Sequence, residues 1–290
     1  MPSVLADFTG QFSIAGSERE GPADGRILLS ESQLILAASE DDRETIPLPD
    51  IFDVTLGNEA TVIDPMPGSP LTIAYRSGSS RTTAVVAAEE STTEKFRSVL
   101  FKALLNGTNV TLKHPAKIGG RVLDTPFTGG LLSLKSNGVA FDTQDGPVMV
   151  PLSSVVDFDR ETRAVDGRDR PVLVVVHMDN GQALTTVAAT DSSRHLSLLG
   201  RYFRRTYDDV LDSIRELSLS EAETEALAAL YSTTETDVSL SAVIDADPQA
   251  VQRILHALHE KGLVESGDNG PVLTAKGQIV VTQYLERVND

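Results

Sequence analysis

Five histidines, 42 carboxylates and a complete lack of cysteine set the chemistry that this 290-residue chain can attempt. Without cysteine there are no disulfides, thiolate nucleophiles, zinc–thiolate sites or iron–sulfur clusters. His256 and His259 fall at i, i+3 on a predicted helix, but no companion carboxylate pattern accompanies them, so they read as a packed or surface pair. His114, His177 and His195 are scattered. Asp166-Gly167-Arg168-Asp169 and Asp179-Asn180-Gly181 look like calcium-loop fragments, yet neither continues to spaced ligands and a closing Glu; both sit where hairpins must turn. Asp157 and Asp159 alternate on a strand beside Arg160 and Arg163, the pattern of a solvated face. No glycine-rich phosphate loop, P-loop lysine or Gly-x-Ser-x-Gly elbow is present. Lys113, Lys117, Arg121 and Lys135 are too few for a phosphoinositide site on so acidic a chain. The sequence therefore assigns no catalytic residue, no metal and no cofactor, and predicts a non-enzyme.

The elements that carry these residues belong to a strongly acidic protein. Its 42 acidic and 25 basic residues give a net charge of -17. A hydrophobic content of 40% excludes wholesale disorder, and the length predicts two or three domains. The start, MPSVLADFTG, lacks the basic and apolar regions of a leader, and no apolar run approaches the roughly 18–20 residues that span a bilayer. A soluble, intracellular protein is expected. The acid excess runs along the whole chain, with 7 lysines beside 18 arginines, a balance that resembles proteins of salt-accumulating archaea. Such a surface disfavours phosphate backbones and anionic membranes.

Short apolar runs separated by turn residues fill the first two-thirds: Gly25–Leu29, Gln33–Leu36, Thr45–Leu48, Ile51–Leu56, Leu71–Tyr75 and Thr82–Ala87. Ser91 to Leu105 then switches to helical spacing, with Ser91-Thr92-Thr93-Glu94 as a capping box and Asn106-Gly107 as a stop. The same order repeats. Leu28, Ser32, Ile35, Ile46, Pro47, Leu48, Ile51 and Asp53 correspond at a constant offset of 104 to Leu132, Ser136, Val139, Val150, Pro151, Leu152, Val155 and Asp157. Pro70–Ile73 matches Pro171–Val174 at an offset of 101, and the Gly78 hairpin matches Gly181. A second helix spans about Asp191 to Leu217. Roughly seven strands closed by one helix outline a pleckstrin-homology-like barrel, with an immunoglobulin-like sandwich as the rival.

The last segment changes character. Ser220 and Glu223 open a helix through Tyr231, Leu240–Ala246 predicts a short second helix, and Asp247-Pro248 begins a third that Gly262 ends. A hairpin over 263–274 and a final helix from about Ala275 to Val288 complete a winged helix. Residues 219–290 hold twelve acids and four bases, Arg253, Lys261, Lys276 and Arg287. Such a charge suits a protein partner better than DNA, which demands several phosphate contacts. The fold expected is α+β: pleckstrin-homology-like barrels over 1–106 and 107–217, then a winged helix over 218–290.

Two strand-rich modules with paired Ile46-Pro47-Leu48 and Val150-Pro151-Leu152 segments, the Leu71–Ala87 and Val172–Ala189 hairpins, and the Arg253–Gly277 winged-helix segment resemble the archaeal taxis adaptor family CheF over essentially the whole chain. The resemblance implies a non-enzymatic chemotaxis adaptor that receives the phosphorylated response regulator CheY. It also implies docking at the cytoplasmic face of the archaellum motor switch complex, control of rotational direction, and association with CheC- and CheD-type proteins. From the residues themselves, Leu255, Leu258, His259, Tyr284 and Leu285 are the candidate partner-binding positions, and Phe203 and Tyr207 the candidate homodimer interface. A winged-helix transcription regulator with N-terminal sensor or dimerisation modules is the competing reading, and a small-molecule or lipid-binding module a third.

Overall fold

Valine, isoleucine and leucine alternate with polar residues between Gly, Ser and Asp turns, and in the computed structural model these runs form two antiparallel sheets. The structure describes residues 3–17, 21–57, 66, 69–233, 248–267 and 270–289; the predicted 240–246 helix lies outside them. The first sheet holds β1 (Val4–Ile14), β2 (Ala23–Ser30), β3 (Gln33–Ala37), β4 (Arg43–Pro47), β5 (Ile51–Leu56), β6 (Leu71–Ser77) and β7 (Ser80–Ala87), in the order β4-β3-β2-β1-β7-β6-β5. Helix α1 (Glu90–Leu105) follows, burying Phe96, Leu100, Phe101 and Leu104. The second sheet holds β8 (Asn109–Ile118), β10 (Thr128–Leu134), β11 (Gly138–Thr143), β12 (Gly146–Pro151), β13 (Val155–Val165), β14 (Arg168–Asp179) and β15 (Gln182–Thr190), in the order β12-β11-β10-β8-β15-β14-β13, with β9 (Arg121–Val122) on β8.

Position for position the two paths are the same, so the duplication is physical. Each copy also has a 3-10 turn after its proline, Leu48–Asp50 and Leu152–Ser154, and a bulge at the start of the next strand, Ile51/Asp53 and Val155/Asp157. Among the described residues each path ends at β4 and β5 or at β12 and β13, and the closed barrels expected above are not shown.

Register corrects the alignment. Leu34 pairs with Ile46 as Val139 pairs with Val150, and the amide of Leu48 bonds the Ser32 carbonyl as that of Leu152 bonds the Asn137 carbonyl. From Ser32 through β3 the offset is thus 105, so Leu34 and not Ile35 matches Val139. One residue fewer separates Val139 from Val150 than Leu34 from Ile46, which restores 104 at Pro151. Tyr75 faces Ile51 as His177 faces Val155, an offset of 102. Gly78 (φ 61°) therefore matches Asn180 (φ 46°), both left-handed turn positions. The Asp166–Gly167 and Asn180–Gly181 fragments are hairpin turns, as expected. The start of α1 differs from expectation: its N-cap is Glu89, and Thr93 Oγ1 meets the Ala88 amide in place of a capping box.

The chain divides into two compact units. Residues 1–108, 131–134 and 190–202 form one, and 109–130, 135–189 and 203–290 the other. The division falls inside helix α2 (Ser193–Arg215). Its first half is fixed to the first sheet's corner: Arg194 donates to the carbonyls of Leu48 and Ile51, and Arg201 forks onto both carboxylate oxygens of Asp53 at 2.9 Å.

The C-terminal segment comprises α3 (Glu221–Thr233), α4 (Pro248–Glu260), the hairpin β16 (Val264–Gly267) and β17 (Gly270–Leu273), and α5 (Ala275–Asn289). Ser220 and Glu223 form the expected capping box: the Ser220 amide donates to Glu223 Oε2 at 2.7 Å and the Glu223 amide to Ser220 Oγ. Its core is Ala226, Leu227, Leu230, Leu258, Leu263, Val264, Leu273 and Val281.

Candidate functional site: the outer face of the winged helix

Helix α4 divides cleanly. Val251 and Leu258 are buried, Ile254 and Leu255 are half-buried against the core, and Gln252, Arg253, His256, His259 and Glu260 are exposed. His256 Nε2 lies 3.9 Å from Glu260 Oε1. The helix stands on a rigid base: Lys261, just past its end, donates to Glu223 Oε1 at 2.6 Å and to the Ser218 carbonyl at 2.9 Å. The Lys261 ammonium, and then the Ser220 amide, hold the Glu223 carboxyl below the usual carboxylate range.

The wing is occupied within its own unit. Val272 of β17 sits so close to the β14–β15 turn that a Cβ placed on Gly181 would come within 2.7 Å of it, and one placed on Gly267 would lie 3.1 Å from Asn180 Oδ1. Helix α5 lies against β13 and the Leu152–Ser154 turn. The wing strands and one side of α5 are therefore spent on the second sheet, which leaves the outer face of α4 presented to solvent.

Of the predicted partner positions, His259 is exposed and Tyr284 is 45% exposed. Leu255 and Leu285 are half-buried on the core, and Leu258 is fully buried within it. Leu258 is thus a core residue, because the apolar stripe of a short helix between two neighbours is wider than the part left outside. Phe203 is likewise core, 1% exposed and packed near Phe158 at 6.2 Å; Tyr207 is half-buried, edge-on to the same ring at 5.6 Å. Arg253, by contrast, shares the outer face with His256 and His259, although periodicity and charge give no reason to single it out as a contact.

A second polar cluster lies inside the second sheet. His114 and His177 stack at 5.7 Å, and the Thr186 hydroxyl lies 2.8 Å from His114 Nδ1 and 3.1 Å from His177 Nε2. One hydroxyl proton serves one ring only. His177 Nδ1 has no partner, so the arrangement that strands a lone pair and not an N–H has Thr186 donating to His114 and accepting from His177. Burial first, then the neighbouring His114, pushes the His177 pKa down to about 4, against an opposing pull from Asp179. This is a core network. Among the described residues no group of three or more His, Asp or Glu side chains is placed to hold a metal. An open cleft of about 770 Å³ over Gly10 and Gly25 is lined by Thr9, Gln11, Asp24, Glu89 and Glu90.

The described residues thus form an α+β protein of two antiparallel sheets and a C-terminal segment of helices and one hairpin. The family described as archaeal chemotaxis signal transduction system protein F matches residues 4–209, and the chain belongs to that family. It is 37% identical over 99% of its length to the taxis protein CheF2 of Halobacterium salinarum, of which 99% is covered. It is 28% identical over 90% of its length to CheF1 of the same organism, of which 89% is covered. A helix-turn-helix family described as Cmi2, C-terminal, matches residues 178–270. Two solved structures resemble it only weakly and carry no argument: Vav1 with an allosteric inhibitor (11% identity, TM-score 0.28, 40% of this chain and 33% of that one) and the Spt16D–Pob3N heterodimer (14%, 0.25, 61% and 85%). Among the described residues no helix is long and apolar enough to cross a membrane.

Proposed function

We propose that the chain is a non-enzymatic chemotaxis adaptor that binds phosphorylated CheY and links it to the archaellum switch complex, with CheC- and CheD-type proteins as further partners. The observation that supports this reading most is the end-to-end match to taxis proteins, joined to a site that is a face and not a cleft. The regulator docks on the outer face of α4, where Arg253 and His259 supply contacts, and on Tyr284 of α5. Pleckstrin-homology-like barrels over 1–106 and 107–217 and a winged helix over 218–290 are the modules of this reading. Tyr207 is the remaining candidate for a homodimer contact, and the working place is the cytoplasmic face of the motor.

The acidic C-terminal segment and the occupied wing favour a protein partner over DNA. The test is binding of the full chain to the regulator, with and without beryllium trifluoride as phosphoryl mimic, at high salt and with DNA fragments alongside. Binding restricted to the activated regulator, weakened about tenfold by Arg253→Glu, supports the adaptor. Binding to DNA alone would make the chain a transcription regulator.

A further inference from the structure

Every side-chain nitrogen of Arg194 and His195 is engaged at the start of helix α2. Arg194 Nε donates to the Ile51 carbonyl and Nη2 to the Leu48 carbonyl at 2.6 Å, so the guanidinium clips the helix to the first sheet's 3-10 turn. Its remaining nitrogen, Nη1, lies 2.8 Å from His195 Nε2. His195 Nδ1 lies 2.6 Å from Asp191 Oδ1, and the ring is 21% exposed.

These contacts fix the proton on the ring by elimination. A guanidinium offers N–H donors and no lone pair, so Nε2 must accept from Arg194. An ionised carboxylate only accepts, so Nδ1 must carry the hydrogen. The neutral Nδ1–H tautomer alone satisfies both neighbours. An imidazolium keeps the Asp191 contact but sets its Nε2–H against the Arg194 N–H, donor against donor and cation against cation. The surrounding charges give it no other acceptor at that nitrogen among the described residues. Asp191 is taken at Nδ1, and Asp50 of the 3-10 turn bears on Arg194, whose charge burial already disfavours. Asp53 of β5 is held by Arg201.

The pair is not a general requirement of the repeat. At the offset of 102 that the β6–β7 and β14–β15 hairpins share, Thr92 and Thr93 of α1 stand where Arg194 and His195 stand. Thr93 Oγ1 turns back to Ala88, whereas Arg194 reaches the carbonyls of another element.

We propose that His195 is an acid-sensitive latch on helix α2. Neutral, it props the Arg194 guanidinium onto the Leu48 and Ile51 carbonyls; protonated, it expels the guanidinium and frees the first turns of the helix from the corner. The Arg201–Asp53 fork, further along the helix, does not depend on the ring.

The experiment uses the full chain from about pH 8 to about pH 5. Nitrogen-15 spectra of the histidine rings report the tautomer, and amide exchange of residues 191–200, corrected for its intrinsic pH dependence, reports the latch. At the upper end His195 shows the Nδ1–H tautomer. Protection of 191–200 then falls about tenfold in step with protonation of that ring. His195→Gln, whose amide accepts from Arg194 and donates to Asp191 while staying neutral, removes the step. Arg194→Lys, which cannot reach three acceptors in one plane, lowers protection across the whole range. An Nε2–H tautomer, protection that ignores the titration of His195, or a step of equal size in His195→Gln overturns the proposal.

Discussion

Tyr75 and His177 occupy the same position in the two copies of the repeat, each opposite the residue that follows the 3-10 turn and each 2% exposed. In one copy the polar end is answered by Glu44, which accepts from Tyr75 Oη at 3.0 Å; in the other Thr186 answers it and one ring nitrogen is left over. The duplication thus kept a large, buried, polar-tipped side chain and changed its chemistry.

That change makes the second unit sensitive to acid. The folded His177 pKa of about 4 lies below the ordinary 6.5, so between those values the unfolded chain binds a proton that the native one refuses. The contribution of the neutral ring is complete above about pH 6.5 and is lost as pH falls towards 4, on the order of 3 kcal/mol in all. Chemical denaturation between pH 7 and 4 will show a steeper loss for the wild type than for His177→Phe. Equal slopes would refute the assignment.

The contact between Gly181 and Val272 is tight enough to read directly. Gly181→Ala adds a methyl 2.7 Å from Val272 at a φ of 76°, and should cost about 1–3 kcal/mol and speed hydrogen exchange in β16 and β17. Val272→Ala in the same chain should recover part of the loss. No recovery would mean that the backbone angle, and not the wing, carries the cost.

Arg194 and Arg201 should differ. Arg201 and Asp53 are 44% and 29% exposed at the side chain, so Arg201→Ala costs about 0.2–1 kcal/mol in a denaturant melt. Arg194→Ala strips donors from the carbonyls of Leu48, a buried residue, and Ile51, and should cost about 1–3 kcal/mol. A reversed order would show that the corner is held by the exposed pair.

Glu223 serves the cap of α3 and the Lys261 ammonium together. Glu223→Ala should lower the stability of the C-terminal segment by about 2 kcal/mol, while Glu223→Gln, which keeps an acceptor for the Ser220 amide, loses less. Thermal melts of the two variants against wild type separate the cap from the ion pair.

Much was legible in the sequence because it is local. The Asn180–Gly181 turn, the Ser220–Glu223 capping box and the Gly262 stop each follow from backbone preferences of a few neighbouring residues. The repeated Pro47-Leu48 and Pro151-Leu152 turns likewise revealed the duplication before any pairing was known. What depended on pairing or packing was not legible. A hydrophobic pattern tolerates a one-residue slip that hydrogen-bond register does not, so Ile35 stood where Leu34 belongs. Leu258 and Phe203 read as surface candidates, since periodicity marks an apolar face without saying how much of it a neighbour covers. Arg163 and Arg170 lie seven positions apart in the chain and only the β13–β14 ladder sets them face to face. The same holds for Val272 on Gly181: the wing was visible as a hairpin, but its seat on the second sheet was decided by tertiary packing.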